Sequence, residues 1–269
     1  MMRQYPQCCI QNAGVDLEQT TLHEARIRSA CLLAILPVIL SMPNAASAAD
    51  SEPSRFSAMG TGIEVPGWEI LKPARDARDT RYSLVRDAGA VVLKADSADA
   101  MSGLIHPVKV DIQKYPKIRW RWKIAGTVPN ADMTRKSGDD YAARIYVMFD
   151  YPVEKLPFTT RAKLKLAEKF YGQKIPAAAL NYVWDGQAPV GTIMPNAYTD
   201  RARMIVLQSG AERAGEWVTE IRDLGADFRA AFGEEPPNVI AVALATDTDN
   251  THSAATAWYG DIEFLPASQ

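Results

Sequence analysis

The stretch Ile118-Arg119-Trp120-Arg121-Trp122-Lys123-Ile124 alternates apolar and basic residues with a period of two. A β-strand places successive side chains on opposite faces, so one face of this segment carries isoleucine and tryptophan, and the other carries arginine and lysine. Trp120 and Trp122 are therefore predicted to lie in a core. The pattern is typical of an antiparallel sheet that packs one face against a second layer and exposes the other.

The same alternation recurs along the chain. Residues 141–150 place Tyr141, Ala143, Ile145, Val147 and Phe149 on one side and Arg144, Tyr146, Met148 and Asp150 on the other. Further strands are predicted at 82–86, 90–95, 103–111, 180–184, 203–208, 217–222, 239–246 and 257–264. Many short strands bounded by turn residues predict an all-β chain that folds as an antiparallel β-sandwich.

One or two short helices are predicted beside the strands. Thr159 or Thr160 can cap a helix that runs to Tyr171, with Gly172 just past its end. Ala226 to Phe232 is predicted as a second, shorter helix because Gly233 can end it in a left-handed conformation.

The composition excludes several classes of protein. The chain has 269 residues, of which 47% are hydrophobic, and its 30 basic and 32 acidic side chains leave a net charge of −2. Disordered tails, collagen-like repeats and strongly basic nucleic-acid binders each need a compositional bias that is missing here. We expect no nucleic-acid partner.

The N-terminal region has the features of a secretory signal peptide. Arg26 and Arg28 precede an apolar run at 30–40, and the small residues 45–48 follow it. A spanning helix needs about 20 apolar residues, so this run is too short for a transmembrane anchor. We expect cleavage after Ala48 and a periplasmic or secreted protein without a transmembrane anchor.

All three cysteines of the chain lie in the predicted leader, which is also unusually long. Cys8, Cys9 and Cys31 all precede the predicted cut, so the mature chain contains no cysteine and cannot form a disulfide or a thiolate site. The segment 1–25 is longer and more acidic than the region that normally precedes the apolar run of a signal peptide, and a misassigned start codon would explain this. Residues 49–269 show no repeat or linker and are predicted to form a single β-sandwich domain.

Several segments together resemble a family of exported bacterial proteins that is catalogued as domain of unknown function 3047. They are YPKIRWRWKI at 115–124, SGDDYAARIYVMFD at 137–150, LNYVW at 180–184, RDLGADFRAAFGEEPPNVIAVALATDTDNT at 222–251 and YGDIEF at 259–264. The resemblance implies a jelly-roll or lectin-like sandwich. It implies no catalytic residues, and that type of fold hosts binding modules, lyases and glycoside hydrolases alike.

The polar faces of the two clearest strands suggest a ligand-binding groove. If both strands lie in one concave sheet, a basic, aromatic-edged groove is lined by Arg119, Arg121, Lys123, Arg144 and Tyr146. Guanidinium groups bind carboxylate or sulfate at two points. The alternative is a solvated face on which the arginines pair with Glu220, Asp261 or Glu263.

The segment Asp247-Thr248-Asp249-Asn250-Thr251 ends an apolar strand with oxygen-bearing side chains. Asp247, Asp249 and Asn250 are candidate ligands for Ca²⁺, although His252 and Trp258 stand where an EF-hand needs glycine and glutamate. The alternative is that these side chains cap their own turn. Apart from Ca²⁺, we expect no cofactor.

A catalytic function has weaker support in the sequence. A polysaccharide lyase or glycoside hydrolase could use Asp140, Arg144, Tyr146 and Asp247, with Glu220 as another candidate carboxylate. No serine-hydrolase elbow, zinc-protease helix or phosphate-binding loop is present.

The hypothesis that needs the fewest assumptions is non-catalytic binding of a carbohydrate or another cell-envelope ligand. The proposed ligand-binding residues are Arg119, Arg121, Asp140, Arg144, Tyr146, Glu220 and Asp247. The enzymatic function is the alternative, and a structural envelope protein without a small ligand is the third.

Overall fold

A computed structural model describes residues 53, 55–72, 77–171 and 176–269, except the side chains of residues 167 and 169–171. The predicted signal peptide and the glycine predicted to follow the first helix lie outside the described residues. All of the described residues belong to one compact unit of the chain.

The strand with the clearest sequence pattern forms as predicted. It spans Lys117–Ile124, and its burial alternates along its whole length. Ile118, Trp120, Trp122 and Ile124 are at most 1% exposed, whereas the basic residues between them are half-buried. The alternation therefore marks the face that packs into the core.

Thirteen strands and two α-helices form within the described residues. In chain order the strands are β1 (Glu69–Leu71), β2 (Arg81–Asp87), β3 (Ala90–Ala98), β4 (Gly103–Val110), β5 (Lys117–Ile124), β6 (Ala143–Phe149), β7 (Ala179–Asp185), β8 (Ile193–Pro195), β9 (Ala202–Ser209), β10 (Val218–Asp223), β11 (Val239–Ala245), β12 (Ala254–Tyr259) and β13 (Glu263–Leu265). The helices are α1 (Phe158–Tyr171) and α2 (Leu224–Phe232).

The strands form two sheets that pack as a sandwich. One sheet has the order β10-β5-β12-β3-β2, and its sixth strand, β13, pairs with residues 117–119 of β5 whereas β12 pairs with residues 122–124. The other sheet has the order β1-β4-β11-β6-β7-β9-β8. Neighbouring strands are antiparallel, except that β7 and β9 run parallel. The predicted all-β sandwich, with two short helices, is confirmed.

Aromatic side chains from both sheets meet in the core. Trp120 of β5 lies 5.2 Å from Tyr182 of β7, and Trp122 lies 6.0 Å from Trp184, measured between ring centroids. Large buried aromatic side chains contribute much of the apolar area of a core. The prediction that Trp120 and Trp122 are core residues is confirmed.

The two helices form close to their predicted positions. Helix α2 begins two residues earlier than predicted, because the Asp223 side chain caps it by accepting a hydrogen bond from the Ala226 amide at 2.8 Å. Gly233 ends it with φ 72°. Among the described residues, neither helix combines the length and the hydrophobicity that a membrane-spanning helix requires.

Two details differ from the prediction. The strand predicted at 257–264 is two strands, β12 and β13, because residues 260–262 leave the ladder between them. The short strands β1 and β8 were not predicted, since three residues are too few for a periodic pattern.

Candidate functional site

The predicted groove is not formed, because its residues lie on different sheets. Arg119 and Arg121 point outward from β5 in the six-stranded sheet, and Arg144 and Tyr146 point away from the core on β6 in the seven-stranded sheet. The chain crosses from one sheet to the other between β5 and β6. The hypothesis that one surface combines these residues is therefore wrong, and each set has to be considered separately.

Glu220 belongs to neither set. It lies opposite Trp120 on β10, on the side of the sheet that faces the core. Its Oε1 accepts hydrogen bonds from Trp122 Nε1 at 3.3 Å and from Gln208 Nε2 at 2.7 Å. Burial raises the pKa of Glu220 above its ordinary value, against the effect of these hydrogen bonds. Glu220 thus links β10 of one sheet to β9 of the other.

The outer face of the six-stranded sheet carries four basic residues of β5, of which Lys117 donates a hydrogen bond to the Ala267 carbonyl at 2.9 Å. Arg119 forms an ion pair with Glu263, and Lys123 forms one with Asp87. The guanidinium of Arg121, between them, has no hydrogen bond or ion pair to a described residue, although the Arg121 carbonyl accepts a hydrogen bond from the Gly260 amide at 2.9 Å. The pair of Arg119 with Glu263 is one that the alternative to the groove predicted, whereas the pair of Lys123 with Asp87 was not predicted. The guanidinium of Arg121 remains available.

The Arg121 side chain is nevertheless held in place. Its guanidinium carbon lies 4.5 Å from the centre of the Trp217 ring, at a distance typical of a cation–π contact. Gly260 lies on the other side of the Arg121 side chain. A Cβ added at Gly260 would lie 2.5 Å from Arg121 Cγ and 2.8 Å from Arg121 Nε. Only glycine gives this side chain room to cross the backbone between β12 and β13.

A pocket of about 370 Å³ opens beside Arg121. It is lined by Ser57, Val91, Arg119, Trp120, Arg121, Thr219, Asp261 and Glu263. Its two carboxylates already have partners, because Glu263 pairs with Arg119, and Asp261 accepts hydrogen bonds from the Ser57 amide at 2.9 Å and from the Ser57 hydroxyl. We call Arg121, Trp217 and this pocket the Arg121 site.

The aromatic surface continues beyond the pocket. Trp217 and Trp258 are both half-buried, and Lys123 Nζ lies 5.3 Å from the first ring and 4.4 Å from the second. Trp68 is not part of this surface, since it is 8% exposed and packs on Phe56 and His106.

The second set of predicted residues converges at one end of the seven-stranded sheet. Arg144 forms an ion pair with Asp247, its Cζ lies 5.4 Å from the Tyr146 ring, and its Nη1 lies 3.9 Å from Asp139. Asp140, next in the chain to Asp139, accepts hydrogen bonds from the turn that follows Asp247. Asp140, Arg144 and Asp247 are at most 2% exposed.

Burial governs the electrostatics of this cluster. It raises the pKa of Asp247 well above the ordinary value, against the attraction of Arg144, and the nearby Asp140 and Asp139 raise it further. Burial likewise raises the pKa of Asp139, again against the attraction of Arg144. The Oδ1 of Asp247 and the Nε and Nη1 of Arg144 are buried without a hydrogen-bond partner among the described residues.

The structure replaces one of the three predicted cation ligands, because Asp140 lies with Asp247 and Asp249 in the position expected of Asn250. Asp140, Asp247 and Asp249 each place a carboxylate oxygen within 4.8 Å of the others. The oxygen of Asn250 is engaged outside the cluster, because its Oδ1 accepts a hydrogen bond from the Tyr198 hydroxyl at 2.8 Å, and its Nδ2 donates to Asp140 and Asp249. Asp140 was not predicted as a metal ligand, because it precedes β6 whereas Asp247 follows β11, 107 residues later in the chain.

Solved structures with a similar arrangement of strands include three carbohydrate-related proteins. The family 12 xyloglucanase from Bacillus licheniformis in complex with ligand is 7% identical, with 77% of this chain and 96% of that chain covered and a TM-score of 0.41. The family 30 carbohydrate-binding module of a cellulosomal cellulase of Clostridium thermocellum is 11% identical, with 81% and 96% covered and a TM-score of 0.34. The family 11 xylanase from Neocallimastix patriciarum is 11% identical, with 77% and 95% covered and a TM-score of 0.32. At this level of similarity, no residue role follows from these proteins.

Sequence comparison is more decisive than structural similarity for this chain. A search of curated proteins finds no significant match. A family model described as "Protein of unknown function (DUF3047)" matches residues 66–263, which include every strand from β1 to β12. The chain therefore belongs to the family Protein of unknown function (DUF3047).

Proposed function

We propose that this protein binds an acidic carbohydrate, without cleaving it, at the Arg121 site on the outer face of the six-stranded sheet. The observation that carries the proposal is the unpaired guanidinium of Arg121, which is held beside a pocket while the basic residues on either side of it, Arg119 and Lys123, are neutralised.

A fixed guanidinium suits the recognition of a carboxylate or sulfate group. Its planar fork donates two parallel hydrogen bonds to two oxygens, and such charge-assisted bonds are stronger than neutral ones. Trp217 and Gly260 restrict the side chain before any ligand arrives, so less conformational entropy is lost on binding. An acidic group on the ligand therefore has a prepared partner here.

The surroundings suit a sugar ring that carries this acidic group. Thr219 and Asp261 line the pocket and can exchange hydrogen bonds with ring hydroxyls. The half-buried rings of Trp217 and Trp258 supply apolar surface next to it, and aromatic rings pack well on the C–H faces of sugars. The proposed export through a signal peptide would place this site where envelope and extracellular glycans occur.

The catalytic alternative has less support from the geometry. Asp140, Arg144 and Asp247 lie together, as a lyase or hydrolase would require, and the pKa of Asp247 is raised by its burial. However, these side chains are almost completely buried, and a polysaccharide must reach the acid and base that act on it. A structural envelope role, the third hypothesis, predicts no saturable ligand.

Glycan binding by residues 49–269 is the direct test. We expect saturable binding to polygalacturonate or alginate, weaker binding to neutral polysaccharides, and no release of reducing or unsaturated ends. Arg121→Ala should weaken binding to the acidic glycan at least ~10-fold, because one charge-assisted bidentate contact is lost.

Arg86→Ala is the matched control, since Arg86 is an exposed arginine of the same sheet on edge strand β2. It removes the same charge without altering the Arg121 site, and we expect it to bind like the wild type. Equal losses in the two variants, or no saturable binding to any acidic glycan, would contradict the proposal. New chain ends in the product would instead establish an enzyme.

A further inference from the structure

The carboxylates at the end of the seven-stranded sheet outnumber the cations that contact them. Asp140, Asp247 and Asp249, which we call the aspartate cluster, place one oxygen each within 4.8 Å of the others. Among the described residues, Arg144 is the cation that contacts this region, and it pairs with Asp247 and lies 3.9 Å from Asp139. Like charges at this separation repel strongly where water is excluded.

One oxygen of the aspartate cluster also lacks a partner. Asp247 is completely buried, and Arg144 binds its Oδ2, whereas its Oδ1 has no hydrogen-bond partner among the described residues. A buried carboxylate oxygen without a partner is costly and rare in native proteins, so it indicates a bound species that the oxygen contacts. This observation is independent of the number of acidic residues nearby.

The chemistry of the cluster selects the kind of species. All three side chains offer carboxylate oxygens, which hard divalent cations prefer, and no histidine or cysteine belongs to the cluster. Asp140 accepts hydrogen bonds from the amides of Asn250 at 3.2 Å and Thr251 at 2.6 Å, and so fixes the turn that carries Asp249. Asp249 is half-buried, which gives an ion a route from solvent.

We propose that Asp140, Asp247 and Asp249 bind a Ca²⁺ ion. Ca²⁺ accepts six to eight oxygen ligands in flexible geometry, so three carboxylates completed by water suffice, whereas Mg²⁺ demands a near-ideal octahedron. The ion offsets the repulsion among the three carboxylates and joins the segment before β6 to the turn after β11. The site lies on the opposite sheet from the Arg121 site, so either proposal can fail without the other.

The experiment uses residues 49–269 freed of metal by a chelator that is then removed. Addition of Ca²⁺ at ~100 times its Kd should raise Tm by roughly 5 °C or more, because an ion that binds the folded state stabilises it. Tb³⁺, a luminescent substitute for Ca²⁺, should show saturable emission that Ca²⁺ displaces, and Mg²⁺ should compete weakly.

Asp249→Asn tests the site, since the shape of this half-buried side chain is kept and its charge is removed. We expect it to weaken Ca²⁺ binding at least ~10-fold while the protein still folds. Asp150→Asn is the matched control, because Asp150 is exposed beyond the opposite end of β6. Equal Ca²⁺ responses in the two variants, or an unchanged Tm and no Tb³⁺ emission with wild-type protein, would overturn the proposal.

Discussion

The hydroxyl of Tyr259 donates a hydrogen bond to the carbonyl of Ala245 at 2.6 Å and so joins the two sheets through the core. Tyr259 ends β12 of the six-stranded sheet, and Ala245 ends β11 of the seven-stranded sheet. The same hydroxyl lies 2.9 Å from Thr246 Oγ1 and accepts a hydrogen bond from the Arg144 amide at 3.4 Å. It therefore supports the backbone from which both Arg144 and Asp247 project.

Tyr259→Phe should destabilise the protein by about 1–3 kcal/mol, because it leaves a buried carbonyl without its donor. The free energy of unfolding from urea denaturation measures the loss. Tyr115→Phe, at an exposed position, is the control and should change stability by less than about 0.5 kcal/mol. Equal stabilities of the two variants would show that the Tyr259 hydroxyl does not contribute.

Gly260→Ala should weaken acidic-glycan binding while every ligand-contacting side chain is retained. The new Cβ would lie 2.5 Å from Arg121 Cγ, so the arginine has to leave its position over Trp217. We expect a loss of about 10-fold in affinity, since a displaced guanidinium must be reordered on binding. Titration of the variant with polygalacturonate measures this loss.

Gly126→Ala is the control for that experiment, because nothing lies within 4 Å of a Cβ added at Gly126. Its affinity should equal that of the wild type. If Gly260→Ala also binds like the wild type, the restriction of Arg121 by Gly260 is not needed for binding.

Glu220→Gln should stabilise the protein at pH 7 and lose this advantage in acid. Burial raises the pKa of Glu220 in the folded state, so the folded protein binds this proton more tightly than the unfolded chain does. The free energy of unfolding therefore falls as the pH rises through this pKa and Glu220 ionises. Glutamine stays neutral and can still accept the hydrogen bonds from Trp122 and Gln208. We expect Tm to rise by no more than about 3 °C at pH 7.

Thermal unfolding between pH 4 and pH 7 tests this sign. The difference from the wild type should vanish near pH 4, where Glu220 is largely protonated in both states. Glu212→Gln, at an exposed position, is the control and should leave Tm unchanged across this range. A Tm for Glu220→Gln that lies below the wild type at pH 7 would contradict the expectation.

Export should remove the first 48 residues. The small residues before Ala49 match the requirement for signal peptidase cleavage, so the mature protein should begin at Ala49. Intact-mass measurement and N-terminal sequencing of protein recovered from the periplasm or medium check this. A peptide from upstream of the cut in exported protein would contradict it, and one from residues 1–14 in the precursor would contradict a misassigned start.

Local patterns predicted most of the fold. Strand β5 could be predicted with its buried face because the period of two is a property of the strand itself, independent of its neighbours. Helix α2 could be predicted because Gly233, directly after its last residue, ends it through its own left-handed conformation. The family resemblance also rested on continuous segments, and the match over residues 66–263 confirms it.

For β5, the sequence by itself determined which residues face the core, since strand periodicity is local. Only the tertiary structure decided which strands share a sheet, because pairing depends on residues far apart in the chain. Arg121 stays unpaired while Arg119 meets Glu263, 144 residues away in sequence. Asp140 likewise reaches the turn at Asn250, 110 residues away, and the groove predicted across β5 and β6 falls on opposite sheets. Such contacts follow from the path of the backbone, which no local pattern encodes.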